Sequence, residues 1–419
     1  MLTAPPRERV WLSWFFAGLW AVAIYLTVPF ARPVARFVRE NLGGEFFLIV
    51  VYAALALTAI WLTVFLRRYP YSGIASYIWL GAVAAAFGWL TWGLNASPEE
   101  ALHFVQYGVL GVFLYRALSH HLRDVSIYFV AGFCGAFLGA LDEAIQWLTP
   151  ARVWDLRDIG INFSAVALVQ LAIAMGLRPP LIERRFRLAS LPALCGSAFV
   201  FTAFLGACLL NTPSVIRSYV DYLPGWLSHL ESKTSQMAEY GYLYRDTEIG
   251  IFRSRLSPEN LRATDRRRAA GAAPLLRAAR GKEKFVEFIR AYTPLNDPFL
   301  HEVRLHLRSR DANIQYAEEI RESRPNEYRL RRRAAFRENR ILEKYFPETL
   351  RASGLVLTPE MRRTLEKETP GSFEYESQVS VALISGTTPR EAAVIIIFLL
   401  ATLFAVMQIS RRHARRNGR

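Results

Sequence analysis

Apolar residues in this chain come in long unbroken runs rather than at every second or every third position. Runs of about 18 to 22 residues with few or no charges are long enough to cross a hydrocarbon core roughly 30 Å thick. Such runs lie at approximately 11–31, 45–66, 76–94, 101–118, 125–147, 158–177, 190–210 and 392–409. Residues 211–390, ahead of the last run, are polar and of different composition. The pattern predicts an all-α polytopic membrane protein of about eight transmembrane helices with an inserted soluble domain. Its parts are a bundle over 1–210, the domain over 211–390, and a final helix with a basic tail over 391–419.

Within the domain, Ser257 stands in an N-cap position before a helical stretch, and Glu259 follows in its first turn. Phe336, Ile341, Leu342, Tyr345 and Phe346 recur at helical spacing. Two alternating stretches, "EVRLHLR" at 302–308 and "FEYESQVSVAL" at 373–383, read as strands. A small, mostly helical α+β domain is expected.

Composition agrees with a membrane class: 52% of the 419 residues are hydrophobic. Arg7 and Arg9 precede the first run as in a signal sequence, but about 21 apolar residues exceed the usual signal core, so an uncleaved anchor is expected. Cys134, Cys195 and Cys208 all fall inside predicted spans, which excludes a disulfide framework and zinc-type spacing.

Charge sets the expected orientation. With the N-terminus in the cytoplasm, Arg67–Arg68, Arg116–Arg123, Arg178, "ERRFR" at 183–187 and the tail "RRHARRNGR" lie inside, as the positive-inside rule requires. The opposite side receives "NASPEE" at 95–100 and "TPARVWDLR" at 149–157. Arg32, Arg36 and Arg39 are the exception, which an amphipathic segment lying along the interface would accommodate. An even number of spans then leaves both termini cytoplasmic and residues 211–390 extracytoplasmic, in an inner membrane. The net charge of +15 does not imply nucleic acid, because the domain mixes about 31 Lys/Arg with about 24 Asp/Glu along its length, as a solvated surface does. Membrane lipid is the partner that the composition implies.

Candidate chemistry concentrates where apolar runs end in polar residues. The fourth span begins "PEEALHFVQYG", with His103, Gln106 and Tyr107; the fifth ends through Asp142, Glu143 and Gln146; the sixth opens from Arg152, Asp158 and Asn162. The expected orientation puts all of these at one depth, beneath the outer face. The pairs His103/Tyr107, Asp142/Gln146 and Asp158/Asn162 are each four residues apart and share a helical face. Ionisable groups at such depth are expensive to expose to lipid, so they should turn inward and pair, with Arg152 as the counter-charge.

"DEAIQWLTPARVWDLRDIGIN", Asp142 to Asn162, together with "HFVQYGVLG" at 103–111, resembles the VanZ-like family over residues 76–178. The chain has Ala165 where that family commonly has Gly. The resemblance implies a multi-span inner-membrane protein of the cell envelope, the family being named for an accessory factor in resistance to teicoplanin-type glycopeptides. It names residues without naming a reaction.

The functional readings remain open. Crowded carboxylates could divide acid and base work, making His103, Asp142, Glu143 and Asp158 catalytic candidates. Alternatively, Tyr107, Gln146, Arg152 and Asn162 would bind the head group of lipid-linked or wall-related material. A metal held by His103 and two carboxylates is geometrically possible, but the spacing does not single it out, and no metal or other cofactor is assigned. A competing reading makes the bundle an anchor and the domain a recruiter of envelope proteins. "HEVRLH" at 301–306 misses the zinc-protease spacing by one residue, so His301 and His306 are expected to be structural.

Overall fold

The computed structural model describes residues 9–43, 45–67, 73–94, 98–150, 152–368 and 374–417. Arg7, Arg68, residues 95–97, Ala151, Phe373 and residues 418–419 lie outside them, as do the side chains of Ala31, Phe65, Glu99 and Lys282 and those from position 414 onward. The chain divides into two compact units, Met1–Cys208 with Val394–Arg419, and Leu209–Ala393.

The first unit is a bundle of α1 (Val10–Thr27), α2 (Ala31–Asn41), α3 (Phe46–Arg67), α4 (Ile74–Trp92), α5 (Leu102–Leu118), α6 (Ser126–Leu148), α7 (Leu156–Leu171) and α8 (Leu191–Leu210). The last helix of the chain, Pro389–Asn417, also supplies most of its length to this unit. Seven of the described helices are long and apolar enough to cross a bilayer, and α5, at 17 residues, is a shorter apolar helix. The chain is a multi-pass membrane protein. Apolar side chains face outward, Leu57 at 68% exposure and Phe398 at 69%, as hydrocarbon permits and water does not.

Helix α5 packs against α1, α6 and α7. Glycines let α6 and α7 approach closely: a Cβ at Gly135 would lie 2.6 Å from Val166, and one at Gly139 would lie 2.9 Å from the Cβ of Asn162. Small residues at a helix crossing bring backbones together where no hydrophobic effect operates between helices. Helix α8 meets α6 through Phe133–Phe201 and Phe137–Phe204. Residues 31–41 form the expected amphipathic segment, α2, apart from the long spans.

The second unit is almost wholly helical: α9 (Pro213–Tyr219), α10 (Pro258–Ala278), α11 (Lys282–Ala291), α12 (Pro298–Ile320), α13 (Pro325–Tyr345), α14 (Pro347–Ser353) and α15 (Pro359–Lys367). Most of these open on proline, whose missing N–H costs nothing in a first turn. Ser257, Asp297 and Thr358 cap α10, α12 and α15 with their side chains. Among the described residues the one sheet is an antiparallel hairpin, β1 (Tyr242–Asp246) with β2 (Gly250–Ser254), in register Tyr244 to Phe252. Gly250 holds φ +109°, and a Cβ there would lie 2.3 Å from the Tyr375 carbonyl, so only glycine serves. The final transmembrane helix, Pro389–Asn417, is α16.

Both strand expectations fail. "EVRLHLR" lies within α12, and residues 374–383 contribute one bridge, Glu376 to Ile251, rather than a strand, with Ile384 just beyond them bridging Tyr240. The α+β expectation therefore reduces to one hairpin. Alternation misleads at 302–308 because its polar members are buried too: Glu302 is 1% exposed and His306 0%. Each is buried with a partner, so polarity at every second position does not mark a wet face.

His301 and His306 take separate partners on α12. The His301 ring is 2.8 Å from the Tyr292 carbonyl, and Nδ1 of His306 is 2.7 Å from Glu338. Glu338 also accepts hydrogen bonds from the Tyr375 hydroxyl at 2.6 Å and from Ser377. Burial by itself would raise the Glu338 carboxyl; the charge and hydrogen bond of His306, with the two hydroxyls, outweigh it and hold the group below the usual carboxylate range.

Candidate functional site in the first unit

Helix α6 ends for a local reason. Thr149 is extended at its C-cap, and Pro150 follows, which disfavours helical geometry in the residue before it. The chain turns through Arg152 to Asp155, whose carboxylate caps α7 by accepting from the N–H of Arg157 at 2.8 Å. The same residue's backbone N–H donates to Oε2 of Glu143 at 3.0 Å. Oε1 of Glu143 accepts from Nε2 of Gln146 at 2.6 Å, and Oε1 of Gln146 accepts from Arg152. The turn is thus laced to the end of α6 by a chain of donors running into acceptors.

This lacing separates two neighbouring carboxylates. Glu143, fully buried, has both oxygens engaged and holds the turn. Asp142, 1% exposed, closes no hydrogen bond of sound geometry among the described residues, and its Oδ1 is buried. Instead it faces the hydroxyl of Tyr107 and lies near Arg152. Tyr107, itself fully buried, stacks on His103 with ring centroids 6.1 Å apart. His103 lies near Asn162, whose amide oxygen and nitrogen are both buried without a hydrogen bond among the described residues.

A cavity of about 370 Å³ opens beside these groups. His103, Gln106, Asp142, Gln146 and Arg152 line one side. The other is apolar and comes from the end of α1, the elbow to α2, α2 itself and Phe47. Toward this end of α1, Trp20 donates to the Gln106 carbonyl at 2.9 Å, and Tyr25 donates to the Leu138 carbonyl at 3.0 Å.

Of the eight residues singled out from sequence, the structure gathers all around this end of α5, α6 and α7, yet only His103, Asp142, Gln146 and Arg152 line the cavity. Tyr107 and Asn162 sit behind it. Asp158, half-buried, stands toward Glu100 and Glu143 on another side, where Arg157 reaches Glu100 at 3.2 Å. Sequence reasoning missed the apolar half. Its one available signal was the amphipathic 31–41 segment, in which Val34 and Ala35 now line the cavity.

Chemically, the cavity offers a carboxylate, a guanidinium, an imidazole and two amides opposite hydrocarbon. That arrangement suits an amphiphile whose head carries both hydrogen-bond donors and negative charge. Compared with protein-family models, curated proteins and solved structures, the chain finds no match.

Proposed function

We propose that this chain is a VanZ-like protein of the cell envelope that binds the head group of a lipid-linked, wall-related molecule in the α5–α6–α7 cavity. In this reading it resides in an inner membrane with both termini cytoplasmic, and the site opens beneath the outer leaflet. One observation carries it: His103, Asp142, Gln146 and Arg152 line the same cavity as the apolar residues of α1 and α2. A polar head and a lipid chain would each find a matching wall. Buried polar groups left open by the protein favour a ligand that completes their hydrogen bonds over a purely architectural role.

Binding is measured with the full-length protein in nanodiscs, using a polyprenyl phosphate and a polyprenyl-pyrophosphate-linked sugar as probes. Arg152→Gln and Asp142→Asn should each weaken binding of at least one probe about tenfold or more, the weight of a charge-assisted hydrogen bond. Unchanged affinity in both variants would overturn the reading. Orientation has its own check: a cysteine at exposed Tyr242 should react with a membrane-impermeant thiol reagent applied to intact cells from outside. Reaction only after lysis would place the second unit in the cytoplasm.

A further inference from the structure

At the opposite end of α6 and α7, away from Asp142, lies a second and larger cavity of about 570 Å³. Its walls are mostly apolar and include Phe129, Gly132, Phe133 and Phe163. Phe129 is 60% exposed and Phe163 43%, so the groove faces the hydrocarbon side of the bundle rather than its core. Phe133 is held from behind by Phe201 of α8. Helix α7 ends here in a π-helical turn, Ala172–Leu177, and Arg178 follows in left-handed geometry with φ 47°.

The rim is basic. Arg178 and Arg184 both line the groove. Nε of Arg178 donates to the Met175 carbonyl at 2.8 Å, which fixes the side chain. The segment bearing Arg184 is pinned on both sides: the N–H of Glu183 donates to the Arg123 carbonyl at 2.7 Å, and that of Arg187 donates to buried Asp124 at 2.6 Å. Glu183, the carboxylate at this rim, is bound by Arg187, which leaves the two lining arginines to set the local charge.

We infer that this groove is a binding site for an anionic phospholipid, with one acyl chain against α6 and α7 and the phosphate at Arg178 and Arg184. The apolar lining lies between two helices, α6 and α7, and the turn that follows α7, which suits a single chain laid along them. Charge argues for the head group, since Arg178 and Arg184 beside a lipid-facing groove complement the phosphate of an anionic lipid. By the positive-inside rule these arginines lie at the cytoplasmic leaflet, where anionic lipids concentrate. The site is independent of the cavity at Asp142.

The test is native mass spectrometry of the full-length protein released from micelles carrying either phosphatidylglycerol or phosphatidylcholine. The protein should retain one phosphatidylglycerol in preference to phosphatidylcholine. The double variant Arg178→Gln/Arg184→Gln should lose that retention roughly 25-fold, about fivefold for each basic residue. Gly132→Trp, which fills the groove floor next to Phe163, should abolish retention of either lipid, and Asp142→Asn should leave it unchanged. Should Gly132→Trp fail to fold, the arginine pair decides alone. Equal retention of the two lipids, or full retention in the arginine variant, would overturn the inference. So would a dimer that Gly132→Trp dissociates, since a second copy would then be the occupant.

Discussion

The two units bury their carboxylates differently. Around Glu338 in the second unit, His306, Tyr375 and Ser377 all converge on one carboxylate and engage both its oxygens, while Nε2 of His306 has no hydrogen bond among the described residues. Arg332, 1% exposed, is held by Glu318 and Glu368, and Asp265 accepts the N–H groups of Glu348 and Thr349 at the start of α14. At Asp142 in the first unit, a carboxylate, a phenol, an imidazole and an amide are buried side by side with polar atoms left open. A closed network fixes a fold, because every member loses its partners if the fold is lost. An open cluster costs stability in the resting protein and so points toward a ligand. Both behaviours occur one residue apart: the oxygens of Glu143 are spent on the turn, whereas Oδ1 of Asp142 is left open.

If this contrast is right, removing the hub of the closed network should have the largest effect. Glu338→Ala strands His306 and two hydroxyls in the core and should lower stability by about 3–5 kcal/mol, read as a drop in the melting transition of the second unit. A near-neutral outcome would break the comparison on that side.

Acid should act next. Burial, with Arg255 nearby, lowers His301 to about 4 from its ordinary 6.5. Its folded form resists protonation while the unfolded chain takes up a proton below about 6.5. Stability should therefore fall as pH drops from about 6.5 to 4, by at most about 3 kcal/mol. His301→Gln should flatten that part of the pH profile.

Helix contact in the bundle comes third. Gly135→Ala places a Cβ 2.6 Å from Val166 and should cost about 1–3 kcal/mol, measured by unfolding in detergent. Smallest should be Asp142→Asn. It replaces a carboxylate that closes no hydrogen bond of sound geometry among the described residues, so thermal stability should shift by under about 1 kcal/mol while head-group binding falls. Loss of stability comparable to that of Glu338→Ala would mean that Asp142 is structural, and the contrast would collapse.

Much of the bundle was legible because a bilayer imposes a one-dimensional rule: about 20 apolar residues make a span whatever their neighbours do. Even the turn from α6 to α7 could be placed, since one apolar run stops at 147 and the next begins at 158. In the second unit the cap expected at Ser257 forms, and Asp297 and Thr358 cap their helices in the same way. The unit departed from expectation wherever a polar residue was buried with a distant partner, as His306 is with Glu338, 32 positions away. Alternation reads polarity as exposure, and such pairs defeat it.

The sequence by itself determined that this protein spans a membrane several times, that a largely helical unit is inserted before its last span, and that polar residues gather at the α5–α6–α7 ends. Periodicity, length and local capping act over a few turns of chain, so one strand of text carries them. Only the tertiary structure decided that Glu143 is spent on a turn while Asp142 borders a cavity. It also decided that the amphipathic 31–41 helix supplies the apolar wall, and that a basic-rimmed groove lies at the other end of the same helices. Those outcomes depend on which far-apart side chains meet at hydrogen-bond distance, and that is fixed by packing in three dimensions rather than by spacing along the chain.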